Sequence, residues 1–245
     1  MHSHHAVVRL PRRRLPGPTP WDARVEAWEN LTASPAFARL ARQVLELASP
    51  REDDVVVDLG AGTGLLSLPA ARRAAAVYAV DYSWPMLERL AERARADGIE
   101  NIHTVVADMR EVPLEDETAS VVFSSYAFHH LPDEGKKLAL AEARRILRPG
   151  GRLVVCDMMF SLSLAPRDRR IVASKIVGIA RKGPAGLVRL ARNAGRLAAR
   201  RWEHPVSPER WRTLLEARHF VDVDVVLAES EAGIARARRP EVNEQ

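Results

Sequence analysis

The chain has 245 residues, a formal net charge of +5 and a single cysteine, Cys156. That length holds one large α/β domain or one domain with an appendage. A lone cysteine excludes an intrachain disulfide and fits a reducing compartment, and the absence of any run of about 18 apolar residues excludes a transmembrane helix. The charge is unevenly spread. Residues 161–201 carry eleven Lys and Arg against Asp168 alone, a local +10, so the remainder carries −5. The protein reads as a mildly acidic domain bearing a strongly basic insert.

Residues 1–20 read as a disordered basic tail. Met1-His2-Ser3-His4-His5 leads into Arg12-Arg13-Arg14 and Pro16-Gly17-Pro18-Thr19-Pro20 with no apolar stretch of the secretory type. Its histidines belong to the tail, and no metal site is assigned. The domain spans 21–245. Helices are expected at Trp21–Asn30 and Pro35–Ala48. In the second, Phe37, Leu40, Ala41, Val44, Leu45 and Ala48 recur at helical spacing behind a Ser34 cap and a first-turn Pro35. The β-branched run Val55-Val56-Val57 predicts a buried strand at 54–59. Gly60, Gly62 and Gly64 then alternate with small residues before a helix over 64–73. Glycines there permit positive φ and close approach of a ligand to the backbone, and the helix N-terminus favours a polar or anionic group.

A second strand, Val77 to Val80, ends on Asp81, and a helix opens after Tyr82-Ser83. A third strand over 102–107 ends on Asp108-Met109. A fourth, Ala119 to Ser124, leads into Ser125-Tyr126-Ala127-Phe128-His129-His130-Leu131-Pro132-Asp133. A helix over 134–147 stops at Arg148-Pro149-Gly150-Gly151, and a fifth strand runs from Arg152 to Asp157. Carboxylates thus close three successive strands: Asp58, Asp81 and Asp108. In open α/β sheets, ligands bind at that edge. A carboxylate such as Asp81 offers two acceptor oxygens to a ribose diol.

The insert, 161–206, is expected to be helical. Leu187, Leu190, Ala191, Ala194, Leu197 and Ala198 share one face, with Arg189, Arg192, Arg196 and Arg200 mainly off it. Such a segment either lies on an anionic membrane surface through 167–201 or forms a lid over substrate. The pattern does not separate the two. The chain closes with a capped helix from Ser207-Pro208-Glu209 carrying Trp211, Leu214 and Leu215, an alternating strand from Phe220 to Val226, and a last strand at 232–237. His219 stands where a helix-terminating Gly is the usual choice.

The spacing of the Gly-rich turn decides its type. A dinucleotide fingerprint would place its last glycine at Leu65. The G-x-G-x-G order after Asp58 instead resembles motif I of the class I S-adenosylmethionine (SAM) dependent methyltransferases. Asp81, Ser83 and Met86-Leu87 match that family, as do the His-His-Leu-Pro stretch and Arg145-Ile146-Leu147-Arg148-Pro149-Gly150-Gly151. The motifs cover about 40–160, and 207–238 follow in outline. The resemblance implies a Rossmann-like, doubly wound, seven-stranded, mostly parallel sheet with an antiparallel last strand and a basic helical insert after strand five. It implies SAM as cofactor and S-adenosylhomocysteine as product. Asp58, Gly60, Ala61, Gly62 and Gly64 would wrap the amino-acid end of SAM. Asp81 would take the ribose, Tyr82 and Met86 would flank the adenine, Asp108 and Met109 would bond it, and Ser125 would complete the site.

A sulfonium is already an activated leaving group, so orientation carries most of the catalysis. A base is needed only where the acceptor must lose a proton. His129 and His130 are the candidates, with Tyr126 able to orient the acceptor. The Ser124-Ser125-Tyr126-Ala127 stretch lacks the Asn/Asp-Pro-Pro-Tyr/Phe of the enzymes that methylate exocyclic amines. The insert lacks the aromatic interleaving of a nucleic-acid stacking platform. The expected acceptor is therefore a lipophilic small molecule or a lipid, a phospholipid amine or a quinone. The expected location is cytoplasmic, at the inner face of the cell membrane. The alternatives are a soluble natural-product O- or N-methyltransferase, an RNA methyltransferase and a non-catalytic SAM-binding partner subunit.

Overall fold

The computed structural model describes residues 19–161, 166–181, 183–184, 188, 203–228 and 231–242. The expected tail, up to residue 18, and most of the basic stripe from Leu187 to Ala198 lie outside the described residues.

Seven strands form one sheet: β1 (Val55–Leu59), β2 (Ala76–Asp81), β3 (Ile102–Val106), β4 (Ala119–Ser125), β5 (Leu147–Met158), β6 (Val221–Leu227) and β7 (Ala232–Arg238). They lie in the order β3-β2-β1-β4-β5-β7-β6. Neighbours are parallel from β3 to β5, and β7 runs antiparallel to both β5 and β6. This is the expected doubly wound sheet with an antiparallel last strand. The order reverses between β1 and β4, so their carboxyl ends open a crevice.

The β1 run is buried on both faces, as a central parallel strand requires. Val57 and Leu59 pack with Phe128, Leu140, Ile146, Trp211 and Leu215. Val56 faces the opposite way, onto Val44, Leu45, Phe123 and Ile234. Helices α5 (Asp133–Ile146) and α7 (Pro208–Glu216) cover the first face, and α2 (Pro35–Ala48) covers the second. The predicted stripe on α2 is the buried one: Leu40, Ala41, Val44, Leu45 and Ala48. Leu40, Val44 and Leu45 each contribute about 1.5–3 kcal/mol by this burial.

Three boundaries differ from expectation. The first expected helix divides into a 3-10 turn, Asp22–Arg24, and α1 (Val25–Thr32). The helix expected over 64–73 is only α3 (Ser67–Ala71), because the Gly-rich turn extends through Leu66. The Arg148-Pro149-Gly150-Gly151 stretch ends α5 but is not a loop: it is the opening of β5. Gly150 N–H donates to Arg239 O at 3.0 Å and Arg239 N–H donates to Gly151 O at 2.9 Å, so the chain after β7 supplies the missing ladder. Of the insert, α6 (Pro166–Ala180) is described and is helical as expected.

Candidate active site

A cavity of about 260 Å³ opens at the carboxyl ends of β1, β2, β3 and β4. Its floor is the Gly-rich turn. Gly60 has φ +77°, and a Cβ there would meet Ala127 Cβ at 2.4 Å. Gly62 has φ +52°, and a Cβ would meet the indole Nε1 of Trp28 at 3.0 Å. Both positions need glycine for conformation and for space. Asp81, at the end of β2, ties the turn down: one carboxylate oxygen accepts Gly62 N–H at 2.8 Å and the other accepts Ser83 N–H at 2.8 Å. Burial raises its pKa against these two bonds.

Of the residues read as cofactor contacts, Gly60, Gly62, Asp81, Tyr82, Met86, Asp108 and Met109 line the cavity. Asp108 is paired with Arg110, whose guanidinium donates to both carboxylate oxygens. Burial opposes the ionised form of Asp108, but Arg110 prevails and the pKa falls below the usual carboxylate range. Asp58, Ala61, Gly64 and Ser125 lie beneath the wall. Asp58 is fully buried and accepts Ser67 Oγ at 2.5 Å, which ties α3 to β1. A Cβ on Gly64 would meet Leu90 Cδ1 at 2.2 Å, so that glycine lets α4 (Trp84–Ala96) approach the turn.

The roof was not read as site residues. Trp21 and Trp28 line the cavity from the segment before α2, their rings edge to face at 6.3 Å. Polar links hold this segment in place. Ser83 Oγ donates to Asp22 at 2.7 Å, and Arg89 Nε donates to Glu29 at 3.0 Å. Helix α1 buries no residue of its own. Two tryptophans spaced seven apart on a segment with no other apolar burial are the signal that sequence reasoning left unused.

The far wall comes from the chain after β4. Tyr126, Ala127, His130 and Leu131 line it. Tyr126 adopts φ +53°, a conformation that costs a non-glycine residue about 1–2 kcal/mol, and its ring packs on Phe37 at 4.8 Å. Burial, with nearby anionic groups, raises the Tyr126 pKa and keeps the phenol protonated. The His130 ring packs, tilted, against Trp21 at 4.7 Å and against His129 at 3.8 Å. Withdrawal from water and the neighbouring His129 lower its pKa, so His130 is neutral.

His129 is buried behind this wall. Its Nδ1 lies 2.6 Å from Asp157 Oδ1, and its backbone N–H donates to Asp157 Oδ2 at 2.9 Å. Asp157 also accepts Met158 N–H at 2.7 Å. Asp157 stands near the end of β5, and its partnership with His129 crosses 28 residues of sequence, which local motif spacing does not register.

This is a doubly wound domain with a nucleotide-sized cavity at its topological switch point, floored by glycines and flanked by two strand-end carboxylates. A methyltransferase-domain family model matches residues 56–151. The chain is 35% identical over 126 residues to a demethylmenaquinone methyltransferase of Thermobifida fusca, covering 51% of this chain and 52% of that protein. It is 32% identical over 167 residues to a 27-O-demethylrifamycin SV methyltransferase of Amycolatopsis mediterranei, covering 66% and 58%. A solved SAM-dependent methyltransferase from Aquifex aeolicus shares the fold, with TM-score 0.62 and 19% identity over 88% of this chain and 98% of that one. The chain spans about half to three fifths of the length of these curated relatives. Residues 56–151 are similar to a methyltransferase domain, on a fold shared with a solved SAM-dependent methyltransferase.

The residues present fit SAM. Gly60 and Gly62 leave their backbone open to the cavity at positive φ, and a side chain at either would close it. Asp81 keeps acceptor capacity beyond its two backbone bonds, since each carboxylate oxygen takes two. Tyr82 and Met86 offer apolar surface beside it.

Proposed function

We propose that the protein transfers a methyl group from SAM to a lipophilic small molecule whose acceptor atom sits at the Tyr126–His130 wall. The observation that carries this is the composition of one continuous cavity. Glycine backbone, Asp81 and Asp108 line it together with Tyr126, Leu131, Trp21 and His130.

SAM, when bound, supplies an electrophilic methyl group on a sulfonium. Gly60, Gly62 and Asp81 would hold and orient it. Trp21 and Trp28 exclude water above, so the acceptor approaches in a desolvated space. The base for an acceptor hydroxyl is the histidine pair of this wall: His130 lines the cavity, and His129, held by Asp157, packs directly behind it at 3.8 Å. Asp157 accepts the His129 Nδ1–H, which leaves Nε2 of that ring as the acceptor for a proton passed on from the wall. Tyr126 stays protonated and serves as a donor that orients the acceptor.

Helix α6 supports the membrane reading of the insert. Ile176 and Val177 are 49% and 47% exposed, and Arg169, Arg170 and Arg181 are exposed on and just after the same helix. Apolar surface ringed by cations suits an anionic bilayer, each nearby cation adding about 1 kcal/mol. Salt-sensitive sedimentation with anionic liposomes, lost in an Arg169→Ala/Arg170→Ala/Arg181→Ala variant, is the expected result. Equal binding by wild type and variant refutes it.

The deciding experiment incubates the protein with methyl-labelled SAM and a cell extract, then partitions the products. Label in the organic phase is expected, and its loss in Asp81→Ala ties it to this cavity. Label in the aqueous small-molecule fraction would favour a soluble natural product, with the insert as lid. Label in RNA would overturn the proposal, and binding of SAM without transfer to any fraction would favour a non-catalytic partner subunit.

A further inference from the structure

The chain returning from the insert meets the far wall of the cavity. His204 N–H donates to His129 O at 2.6 Å, and the buried Lys136 ammonium donates to His204 O at 2.6 Å. These two bonds pin the backbone next to Glu203. One ligand-type atom each from His129, His130 and Glu203 then lies within 4.8 Å of the others. The two histidines are adjacent in sequence, but Glu203 is brought to them only by the fold.

We propose that His129, His130 and Glu203 form a site for a divalent transition-metal ion of the zinc class. Two imidazoles and one carboxylate are a recurrent donor set for such ions, with positions left open for another ligand. Imidazole donors select these metals over magnesium or calcium, which take oxygen. The support behind the first ligand is already built. Asp157 accepts the His129 Nδ1–H at 2.6 Å and is itself held by two backbone N–H groups. That carboxylate–imidazole arrangement fixes the tautomer and directs the other ring nitrogen to a metal. Lys136 places a positive charge nearby and opposes a cation. The carboxylates of Glu203 and Asp157 offset it. The remaining adjustment is a closing of side chains from the observed spacing to metal–ligand distances of about 2.0–2.2 Å.

The site overlaps the proposed base. A bound ion takes the imidazole lone pairs that proton removal from an acceptor requires, so metal occupancy inhibits. This consequence rests on the methyl-transfer reading, but the binding itself does not.

The test uses Co²⁺ as a spectroscopic probe on the full chain carrying His2→Ala, His4→Ala and His5→Ala, which removes the competing N-terminal histidines. The expected result is one bound Co²⁺ with visible absorption bands of low-coordinate cobalt, and at least tenfold weaker binding in the same background with Glu203→Ala. Glu203→Gln should behave like Glu203→Ala. Metal-free activity should match between Glu203→Ala and its parent, while added Zn²⁺ inhibits the parent at concentrations that spare the variant. Absence of Co²⁺ binding, or equal affinity in both chains, overturns the site. Activation by Zn²⁺ overturns the inhibitory role. A chain that binds Co²⁺ in a Glu203-dependent way but transfers no methyl group would retain the site and refute the base reading instead.

Discussion

His129 Nδ1 and Asp157 Oδ1 stand 2.6 Å apart, both side chains nearly inaccessible to water. The carboxylate has two further donors, the backbone N–H groups of His129 and Met158, so its position does not depend on the imidazole. The ring is oriented by Asp157 rather than the reverse. Replacing Asp157 by Asn keeps the shape but puts an NH2 in place of one oxygen. An NH2 in the Oδ1 place donates to Nδ1 and gives up the Met158 N–H bond, while the other oxygen keeps the His129 N–H. The ring proton then moves to Nε2, and the lone pair there is lost.

We expect Asp157→Asn to lower kcat by about 10²–10⁴-fold on an acceptor hydroxyl, with KM and SAM affinity unchanged. Single-turnover kinetics, with calorimetry of SAM binding, check this. A variant with unaltered kcat would remove His129 from the chemistry.

The turn and its roof should separate under mutation. Gly60→Ala forces an L side chain into φ +77° against Ala127, a conformational cost of about 1–2 kcal/mol before the steric clash. It should lower the melting temperature and abolish SAM binding together. Trp28→Ala removes a half-buried ring that packs on Trp21 and Phe37. It should weaken SAM by about tenfold, the equivalent of 1.4 kcal/mol, and lower the melting temperature less than Gly60→Ala does. Parallel calorimetry and thermal unfolding distinguish them, and a Trp28→Ala variant that binds SAM normally would show that the roof does not close over the cofactor.

The sheet and the floor of the cavity were legible because their signals are local. Val55-Val56-Val57 announces a buried strand, and Gly60, Gly62 and Gly64 announce the turn. Asp81 and Asp108 sit at strand ends that the pattern itself marks. The roof was less visible, since Trp21 and Trp28 on a solvent-exposed segment look like surface residues until the cavity beneath them is seen. The Asp157 and Glu203 contacts were not legible at all. They join residues 28 and 74 positions apart from His129, by pairing of strands and return of the chain. The Pro149-Gly150-Gly151 stretch misled for a related reason: its ladder partner, Arg239, lies beyond the last strand.

Asp58 gives stability a pH dependence of its own. Burial pushes its carboxyl up to about 7, against the bond from Ser67 Oγ, with the charge of Asp81 adding to the rise. Between about pH 4 and 7 the folded chain therefore holds a proton that the unfolded chain has released. The slope of stability with pH is negative there: Asp58 favours folding least above pH 7. Asp58→Asn removes the ionisation and keeps an acceptor for Ser67. Its stability relative to wild type should rise from pH 4 to 7 and level off beyond, by at most about 4 kcal/mol at 1.36 kcal/mol per pH unit. Urea unfolding at pH 4.5 and pH 8 measures the difference, and a constant difference would show that Asp58 is not the titrating group.

His219 ends α7 in the left-handed region, φ +57°. Phe220 N–H donates to Leu215 O at 3.2 Å, the six-to-one bond of a Schellman cap, and it puts His219 at the position where glycine is favoured. The buried Phe220 side chain packs with Leu214 and Leu215 in the core, which compels the turn despite the residue. The strain at His219 is therefore paid by the contacts of its neighbour. Glycine relieves the steric cost of the left-handed conformation but adds freedom to the unfolded chain, and the first effect exceeds the second where φ is positive. His219→Gly should raise stability by about 0.5–1 kcal/mol and the melting temperature by about 1–4 °C, with His219→Asn intermediate, since asparagine tolerates this region better than histidine. Because His219 is not among the residues that line the cavity, SAM affinity should not change in either variant. A fall in melting temperature for His219→Gly would mean that the imidazole contributes packing worth more than the backbone strain it carries.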